Sequence, residues 1–413
     1  MVKNIIILGA GFAGLTTVQN LQSKLPKNYK ITLIDENANH LFRADLYEVA
    51  TAFNKKITNE CLTQLKKTVA TPITQLISPK VRFFQDKVLK IDPKKRQITL
   101  SKNKSLTYHY LVVALGSVTN YFSIPGLEKY SVPLKTIQDA VKINCHLDQI
   151  FHDLWRKKQA RDIFITVGGG GATGVETAGE LVGAIKKLCK KYRFPRDKVH
   201  LQIIEGTDAL GAFSKPDSKL IEKRLAQKNI KVYLKHFIKK VTKSKIFLEG
   251  KTKEINSDFL LWTGGVMVNP VSAKTLGTSE TRGAIPTNEF LQHPLHPEIF
   301  AAGDNAYFLD PNTKTRLPML AQIAIDQGRA ISSNILSGLK KSTLKPYKPK
   351  QPLYILPIAG RYAIGKIGGK IFFGTLMWYL RRLISLKYLL SIMPFTKAIR
   401  KWHHGSKIFL END

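Results

Sequence analysis

Short apolar runs rich in β-branched residues recur along the body of the chain, at Asn4–Leu8, Lys30–Asp35, Tyr108–Leu115, Asp162–Val167, His200–Glu205, Asp258–Trp262 and Glu298–Ala302. Between them lie helically spaced stretches and glycine-rich turns. Strands that are continuously apolar, and separated by helices, predict parallel sheets covered on both faces. The expected class is therefore α/β. Two of the strands run into glycine clusters at matching positions, Leu8-Gly-Ala-Gly-Phe-Ala-Gly and Val167-Gly-Gly-Gly-Gly-Ala-Thr-Gly. The copies stand about 160 residues apart, too far for a solenoid repeat, and predict two nucleotide-binding domains.

In the first cluster, Gly9, Gly11 and Gly14 follow a strand and open a helix. The first glycine suits a tight turn, the second lets backbone approach a pyrophosphate, and the third lets helix pack on strand. Asp35 closes the next strand, 21 residues beyond Gly14, where a carboxylate accepts hydrogen bonds from ribose hydroxyls. The second cluster, Gly169, Gly171 and Gly174 with Ala172 and Thr173, has its acid at Glu205. That spacing is 31 residues, lengthened by the basic exit Lys190–Lys198. A carboxylate there favours a free 2′-hydroxyl and so NADH over NADPH.

The pattern changes after Lys340. Lys340–Gln351 holds five lysines, and three prolines fall in 346–352, which reads as a linker. Ile371–Leu390 then predicts an amphipathic helix. On a helical wheel Phe372, Phe373, Leu376, Tyr379, Leu380, Leu383, Ile384, Leu386 and Leu390 share a broad apolar face. Lys370, Gly374, Thr375, Arg381, Arg382 and Ser385 gather opposite, while Lys387, Trp378 and Leu389 break the separation. Arginines at a bilayer centre cost ~2.5–3.5 kcal/mol each, so this segment suits the membrane interface rather than a span. Trp378, Tyr379 and Trp402 are headgroup-level candidates. Pro394 is expected to end the helix, with a second basic piece beginning at Ala398–Trp402. Packing of the same face on the body or on a second subunit is the alternative.

Charge sharpens this picture. The 413 residues carry 65 Lys and Arg against 30 Asp and Glu, a net +35. Residues 340–413 alone hold +13 over 74 residues, with Glu411 and Asp413 their only acids. An anionic partner is implied, and the amphipathic tail favours an anionic membrane surface. No recognised nucleic-acid module accompanies the charge, so no nucleic acid is expected. Hydrophobic residues at 43% exclude a mostly disordered chain. Three cysteines, Cys61, Cys145 and Cys189, exclude a disulfide scaffold, and no CxxC pair occurs. The ten histidines show no ligand spacing, so no metal is expected. The chain enters an apolar strand at once, without the layout of a signal peptide, so a reducing compartment is expected.

Two glycine fingerprints in this order resemble the two-dinucleotide flavoprotein reductases, with FAD in the first domain and NADH in the second. Val112-Val-Ala114-Leu-Gly116 and Ala301-Ala-Gly303-Asp304 resemble that superfamily's interdomain strand and its late FAD motif. Within it the chain resembles the type II NADH:quinone oxidoreductases. The matching pieces are His40–Thr51, Gly174-Val-Glu176-Thr-Ala-Gly-Glu180, Trp262-Thr-Gly-Gly265-Val and Pro318–Gly328, together with the basic Trp-bearing C-terminus. Asp326 stands where that family usually has a second glutamine, and Arg43-Ala-Asp45 replaces its usual proline/leucine-rich wording.

The resemblance implies a fold of two Rossmann-like domains plus a C-terminal amphipathic helical membrane anchor. Its expected boundaries are residues 1–117 with 285–340 for FAD, 118–284 for NADH and 341–413 for the anchor. It implies hydride transfer from NADH to flavin and electron transfer to quinone, without proton pumping. Gly9, Gly11, Phe12, Ala13, Gly14, Asp35, Arg43, Val88, Ala114, Gly116, Gly303, Asp304, Ala321 and Gln322 are the implied FAD contacts. Gly169, Gly171, Ala172, Thr173, Gly174, Glu176, Glu205 and Gly265 are those for NADH. Glu176, Gln322 and Asp326 are the implied catalytic residues. Glu176 reads either as an orienter of the nicotinamide and a proton source or as an acid that stabilises a helix N-terminus by ~0.3–1 kcal/mol. Gln322 and Asp326 share a helix face at i, i+4 and otherwise are solvated helix residues. A homodimer and a peripheral position on the cytoplasmic face of the inner membrane complete the expectation. Rival readings are a sulfide:quinone or redox-protein reductase of the same fold, and a low-turnover NADH-sensing or nucleic-acid-binding flavoprotein.

Overall fold

The computed structural model describes residues 2–53, 58–102, 104–211, 213–250 and 254–410. In chain order the elements used below are β1 (Lys3–Leu8), α1 (Phe12–Leu21), β2 (Tyr29–Asp35), α2 (Leu46–Thr51), α3 (Asn59–Val69), β3 (Arg82–Gln85), β4 (Tyr110–Val113), β5 (Ser131–Pro133), α4 (Ile137–Arg156) and β6 (Ile163–Gly168). There follow α5 (Ala172–Tyr192), β7 (Val199–Glu205), α6 (Lys215–Gln227), β8 (Ile230–Leu234), β9 (Phe259–Trp262), β10 (Gln292–His293), β11 (His296–Ala301) and α7 (Ala321–Leu339). The tail contributes β12 (Tyr354–Pro357), β13 (Ala363–Ile367), β14 (Lys370–Gly374), α8 (Thr375–Ile392) and α9 (Phe395–Leu410).

Two compact units result. The first comprises Met1–Leu41, Thr71–Val118 and Val266–Pro352. Its sheet runs β10-β11-β4-β1-β2-β3, parallel except for the β10 edge. Ile5, Ile6, Ile7 and Leu8 are fully buried, because both faces of β1 are covered and no position can afford polarity. On one face α1 packs against α7, where a Cβ on Gly328 would meet Ala13 O at 2.6 Å.

The second unit comprises Phe42–Ala70, Thr119–Gly265 and Leu353–Asp413. Its sheet is β5-β9-β6-β7-β8, all parallel. Each unit also carries an antiparallel three-stranded meander, Val88–Thr107 in the first and Ile238–Asn256 in the second. The duplication read from the glycines thus extends to whole-sheet topology.

The units are divided differently from the expected domains. Phe42–Ala70 packs with the second unit, because α2 lies on α4 and α5. The tail is not a separate region either. A Cβ on Gly179 of α5 would meet Ala359 N at 2.6 Å, so the turn after β12 sits directly on that helix. Lys401 of α9 donates to Ala70 O at 2.8 Å, fastening the last helix beside α3.

The predicted helix Ile371–Leu390 is corrected at its start. Residues Lys370–Gly374 form the third strand of a meander, and the helix begins at Thr375. Gly374 at φ +106° turns the chain between them. The break at Pro394 is present, and α9 runs to Leu410. No helix among the described residues is long and apolar enough to cross a membrane.

Candidate functional site

In the first unit, Gly9 N–H donates to Ile34 O at 2.7 Å and its φ of +95° reverses the chain after β1. A Cβ there would lie 2.2 Å from Ala114 O, so only glycine fits against the end of β4. A Cβ on Gly14 would fall 1.8 Å from Gly9 O, which is the close helix–strand packing the fingerprint requires. Gly11 precedes α1 with no side chain capping the first turn. The turn's N–H groups are therefore left for an anion. Asp35 braces the loop: its Oδ2 accepts from Ala10 N at 2.7 Å and its Oδ1 from Asn37 N at 2.8 Å.

Three residues that the sequence reading did not single out hold the neighbouring segments. His40, buried, donates from Nδ1 to Ala10 O at 2.8 Å and stacks edge-on to Phe12. Asn305 accepts from Gly116 N at 2.7 Å and donates to Ser272 Oγ at 2.8 Å. Gln327 accepts from Gly303 N at 2.7 Å. Asn305 directly follows Asp304 and Gln327 stands in the Pro318–Gly328 motif, so the signal was adjacency to residues already marked. Asp304 accepts from the Ser117 hydroxyl, and its own carbonyl accepts from Arg316 at 3.2 Å. Arg316 Nε is buried with no partner, an orphaned donor beside Asp304.

The remaining first-unit candidates are unequal. Ala321 opens α7, and Gln322 in its first turn is exposed. Val88 is buried in the apolar core, leaving only its backbone for a ligand. Asp326 is half-buried and lies against Tyr347, whose hydroxyl pKa is pushed up by burial and by that carboxylate. Arg43 is exposed and belongs to the second unit, not with the other flavin candidates.

The second unit repeats the turn. Gly169 N–H donates to Ile204 O at 2.8 Å, and its φ is +102°. A Cβ on Gly169 would meet Gly264 Cα at 2.3 Å, and one on Gly174 would meet Gly169 O at 1.9 Å. A Cβ on Gly171 would point into open space. Ala172 and Thr173 form the uncapped first turn of α5. Glu205 accepts from Gly170 N at 2.6 Å and from Thr207 N at 2.8 Å. At the end of β9, Thr263 donates to Gly169 O at 3.0 Å, and Gly265 O accepts from Asn120 N at 3.1 Å.

One turn further along α5 is a titratable cluster. Glu176 keeps some accessible surface, yet its carboxyl is hemmed in by protein. Burial pushes its pKa up to about 8, Arg381 opposes that rise, and Asp45 adds to it. Tyr47, 3% exposed, is raised well above the ordinary tyrosine range, first by burial and then by Glu176 and Glu48. Arg381 of α8 donates to Asp45 Oδ1 at 3.1 Å and Ala44 O at 3.0 Å, and Arg382 pairs with Glu48 at 3.4 Å.

These two arginines correct the expected basic face. Their side chains are only 11% and 12% exposed, turned into the unit against carboxylates rather than toward headgroups. Trp378 is also buried, and half-buried Trp402 donates its indole N–H inward to Arg382 O at 3.0 Å. What α8 exposes is mostly aliphatic and aromatic, Leu376, Tyr379, Leu383 and Leu390 with Lys387 among them, continued by Phe372 and Phe373 on β14 and Phe395 on α9.

Among the described residues no group of three or more His, Cys, Asp and Glu could hold a metal. Residues 3–328 match the family model of the pyridine nucleotide-disulphide oxidoreductases. The type II NADH:quinone oxidoreductase of Staphylococcus aureus is 26% identical across 97% of this chain and 98% of its own length. That of Staphylococcus epidermidis is 27% identical over the same shares. Among solved structures, NDH2 of Plasmodium falciparum in complex with NADH superposes with a TM-score of 0.84 at 18% identity, covering 99% of this chain and 98% of that one. The sulfide:quinone oxidoreductase of Aquifex aeolicus gives 0.76 at 21% identity, covering 94% and 90%. These structural likenesses carry the fold alone.

Proposed function

The chain belongs to the pyridine nucleotide-disulphide oxidoreductase family, and we propose that it oxidises NADH and passes the electrons by way of FAD to a quinone at a membrane surface. The observation that carries this reading is the pair of glycine cradles, each built to full geometry and each with its own carboxylate. The full-length likeness to NADH:quinone oxidoreductases supports it.

The residues fit both nucleotides. In the first unit Gly9, Gly11, Phe12, Ala13 and Gly14 would receive the FAD pyrophosphate and Asp35 the ribose, with Ala114, Gly116, Gly303, Asp304 and Ala321 along the rest. The orphaned Arg316 donor beside Asp304 supports an anionic occupant there. In the second unit Gly171 offers open space for NADH phosphates, and Glu205 receives ribose hydroxyls. Bound flavin supplies the chemistry that joins a two-electron donor to quinone. The protein's share is position and proton supply. Glu176, protonated at neutral pH, orients the nicotinamide and holds a proton for the quinone. The exposed amide of Gln322 is assigned to the quinone carbonyl. Asp326 faces Tyr347, and we give it no quinone contact.

A sulfide:quinone reductase of the same fold would need paired redox cysteines. Cys61, Cys145 and Cys189 are in no disulfide, and Cys189 is buried. The deciding experiment is anaerobic. NADH should bleach the flavin spectrum of the purified protein, and a ubiquinone or menaquinone analogue should restore it. Bleaching without reoxidation sinks the quinone assignment.

Membrane attachment rests on the exposed apolar stripe of β14, α8 and α9, set at the cytoplasmic face of the inner membrane. Because α8 is tied into the second unit, deleting the tail would damage that unit, and point changes test the stripe better. Leu376→Glu with Leu383→Glu should lower flotation with anionic vesicles by more than tenfold, since each buried side chain contributes ~1.5–3 kcal/mol. Undiminished flotation would count against the stripe.

A further inference from the structure

The segment after α7 is not the free linker its lysines and prolines predict. Tyr347 is 4% exposed, sits in the first unit's core, and packs edge-on against Phe308 at 5.1 Å. Its backbone N–H donates to Glu289 O at 2.7 Å. Two residues earlier, Asn334 clamps Lys345 from both sides, accepting its N–H at 2.9 Å and donating to its carbonyl at 3.0 Å. Residues 345–350 therefore form a strap fastened at two points, to Asn334 of α7 and to the Glu289 carbonyl.

Between strap and helix lies a cavity of about 310 Å³, lined by Asp326, Arg329, Ser333, Lys345, Lys348 and Lys350 among others. That volume is at the lower end for small-molecule sites. Four cations around one carboxylate repel one another unless an anion joins them. The Tyr347 hydroxyl is buried in the same wall, beside the Asp326 carboxylate that helps to raise its pKa. The two put a hydroxyl and an acceptor into the wall of a cavity otherwise ringed by cations.

We propose that this cavity binds a phosphate ester that also carries hydroxyl groups, either a small soluble one or the headgroup of an anionic glycerolipid. The phosphate meets Arg329, Lys345, Lys348 and Lys350 by charge-assisted hydrogen bonds. A hydroxyl meets Asp326 and the Tyr347 side of the wall. The lining shares no residue with either glycine turn, so the site is additional to both nucleotides.

The test uses flavin-loaded protein and three forms of it: the natural chain, the triple variant K345E/K348E/K350E, and a control triple R156E/K157E/K158E. The control changes the exposed end of α4 by the same charge. One arm titrates glycerol 1-phosphate calorimetrically, and the other floats phosphatidylcholine vesicles doped with phosphatidylglycerol. The site triple should weaken at least one arm by about tenfold or more, with the control within about threefold. The responding arm identifies the source of the ester. Equal weakening by the two triples means general electrostatics and overturns the site, as does no weakening in either arm. Lys348→Gln alone leaves both fastenings intact and should weaken the responding arm by about threefold. An unchanged affinity there also refutes the site. The proposal stands apart from quinone reduction, because neither arm measures turnover.

Discussion

The two glycine turns are nearly superimposable in their bonding. Gly9 and Gly169 each donate to the penultimate residue of the next strand, at 2.7 and 2.8 Å. Gly14 and Gly174 each abut the first glycine's carbonyl, leaving 1.8 and 1.9 Å for a Cβ. Asp35 and Glu205 each accept from the residue after that glycine and from a residue two places beyond themselves. They diverge one helical turn later. Helix α1 contains no charged residue and spends that turn packing against α7 at Gly328. Helix α5 there carries Glu176 into a cluster with Tyr47, Asp45 and Arg381. The turn is thus a general phosphate cradle. On the proposed function, the residues meeting the next turn decide whether the unit only holds a cofactor or also handles protons.

That contrast can be broken most severely at the third glycine. Gly14→Val should abolish flavin retention, because the side chain collides with backbone that cannot move. Gly174→Val should keep the flavin spectrum while raising KM for NADH by roughly a hundredfold, about 2.7 kcal/mol. Loss of flavin in both variants would mean that the turns are not assigned separately. In folding stability, Arg381→Ala should cost ~3–5 kcal/mol in urea unfolding, because it strands buried acid groups without their cation. Arg381→Lys should recover part of this.

The proton-handling half of the contrast is sharpened by pH. Glu176 ordinarily titrates near 4.5 but holds its proton to about pH 8 in the folded chain. Between those values the folded state binds more protons than the unfolded, so stability falls as pH rises through that window. Glu176→Gln should flatten the melting temperature across it. A wild-type slope that survives in Glu176→Gln contradicts the assignment. The smallest expected effect is at Glu205→Gln, which should narrow the preference for NADH over NADPH by about tenfold, or ~1.4 kcal/mol, read from the two kcat/KM values.

Both turns were legible because strand, glycines, helix and acid are local and each has one steric reason. Asp35 and Glu205 were found from their positions at strand ends, and each carboxylate braces its own glycine turn. His40, Asn305 and Gln327 were not singled out, since a side chain that braces a loop from afar leaves no spacing in sequence. The tail misled in a specific way. A helical wheel sorts residues by polarity and assumes that charge faces water, but Arg381 and Arg382 find carboxylates at Asp45 and Glu48, more than 330 positions earlier. Likewise the lysine-proline strap looked unfoldable because its one core residue, Tyr347, is outnumbered by polar neighbours.

The inward arginines also settle how a load on α8 would travel. A surface that grips the helix can hold it only by the Leu376, Leu383 and Leu390 side, while the guanidinium groups are clasped from behind by Asp45 and Glu48. Any tug is then passed through α2 toward the acid on α5 instead of being lost in a slack tether. The last segment of the chain is mechanically a handle.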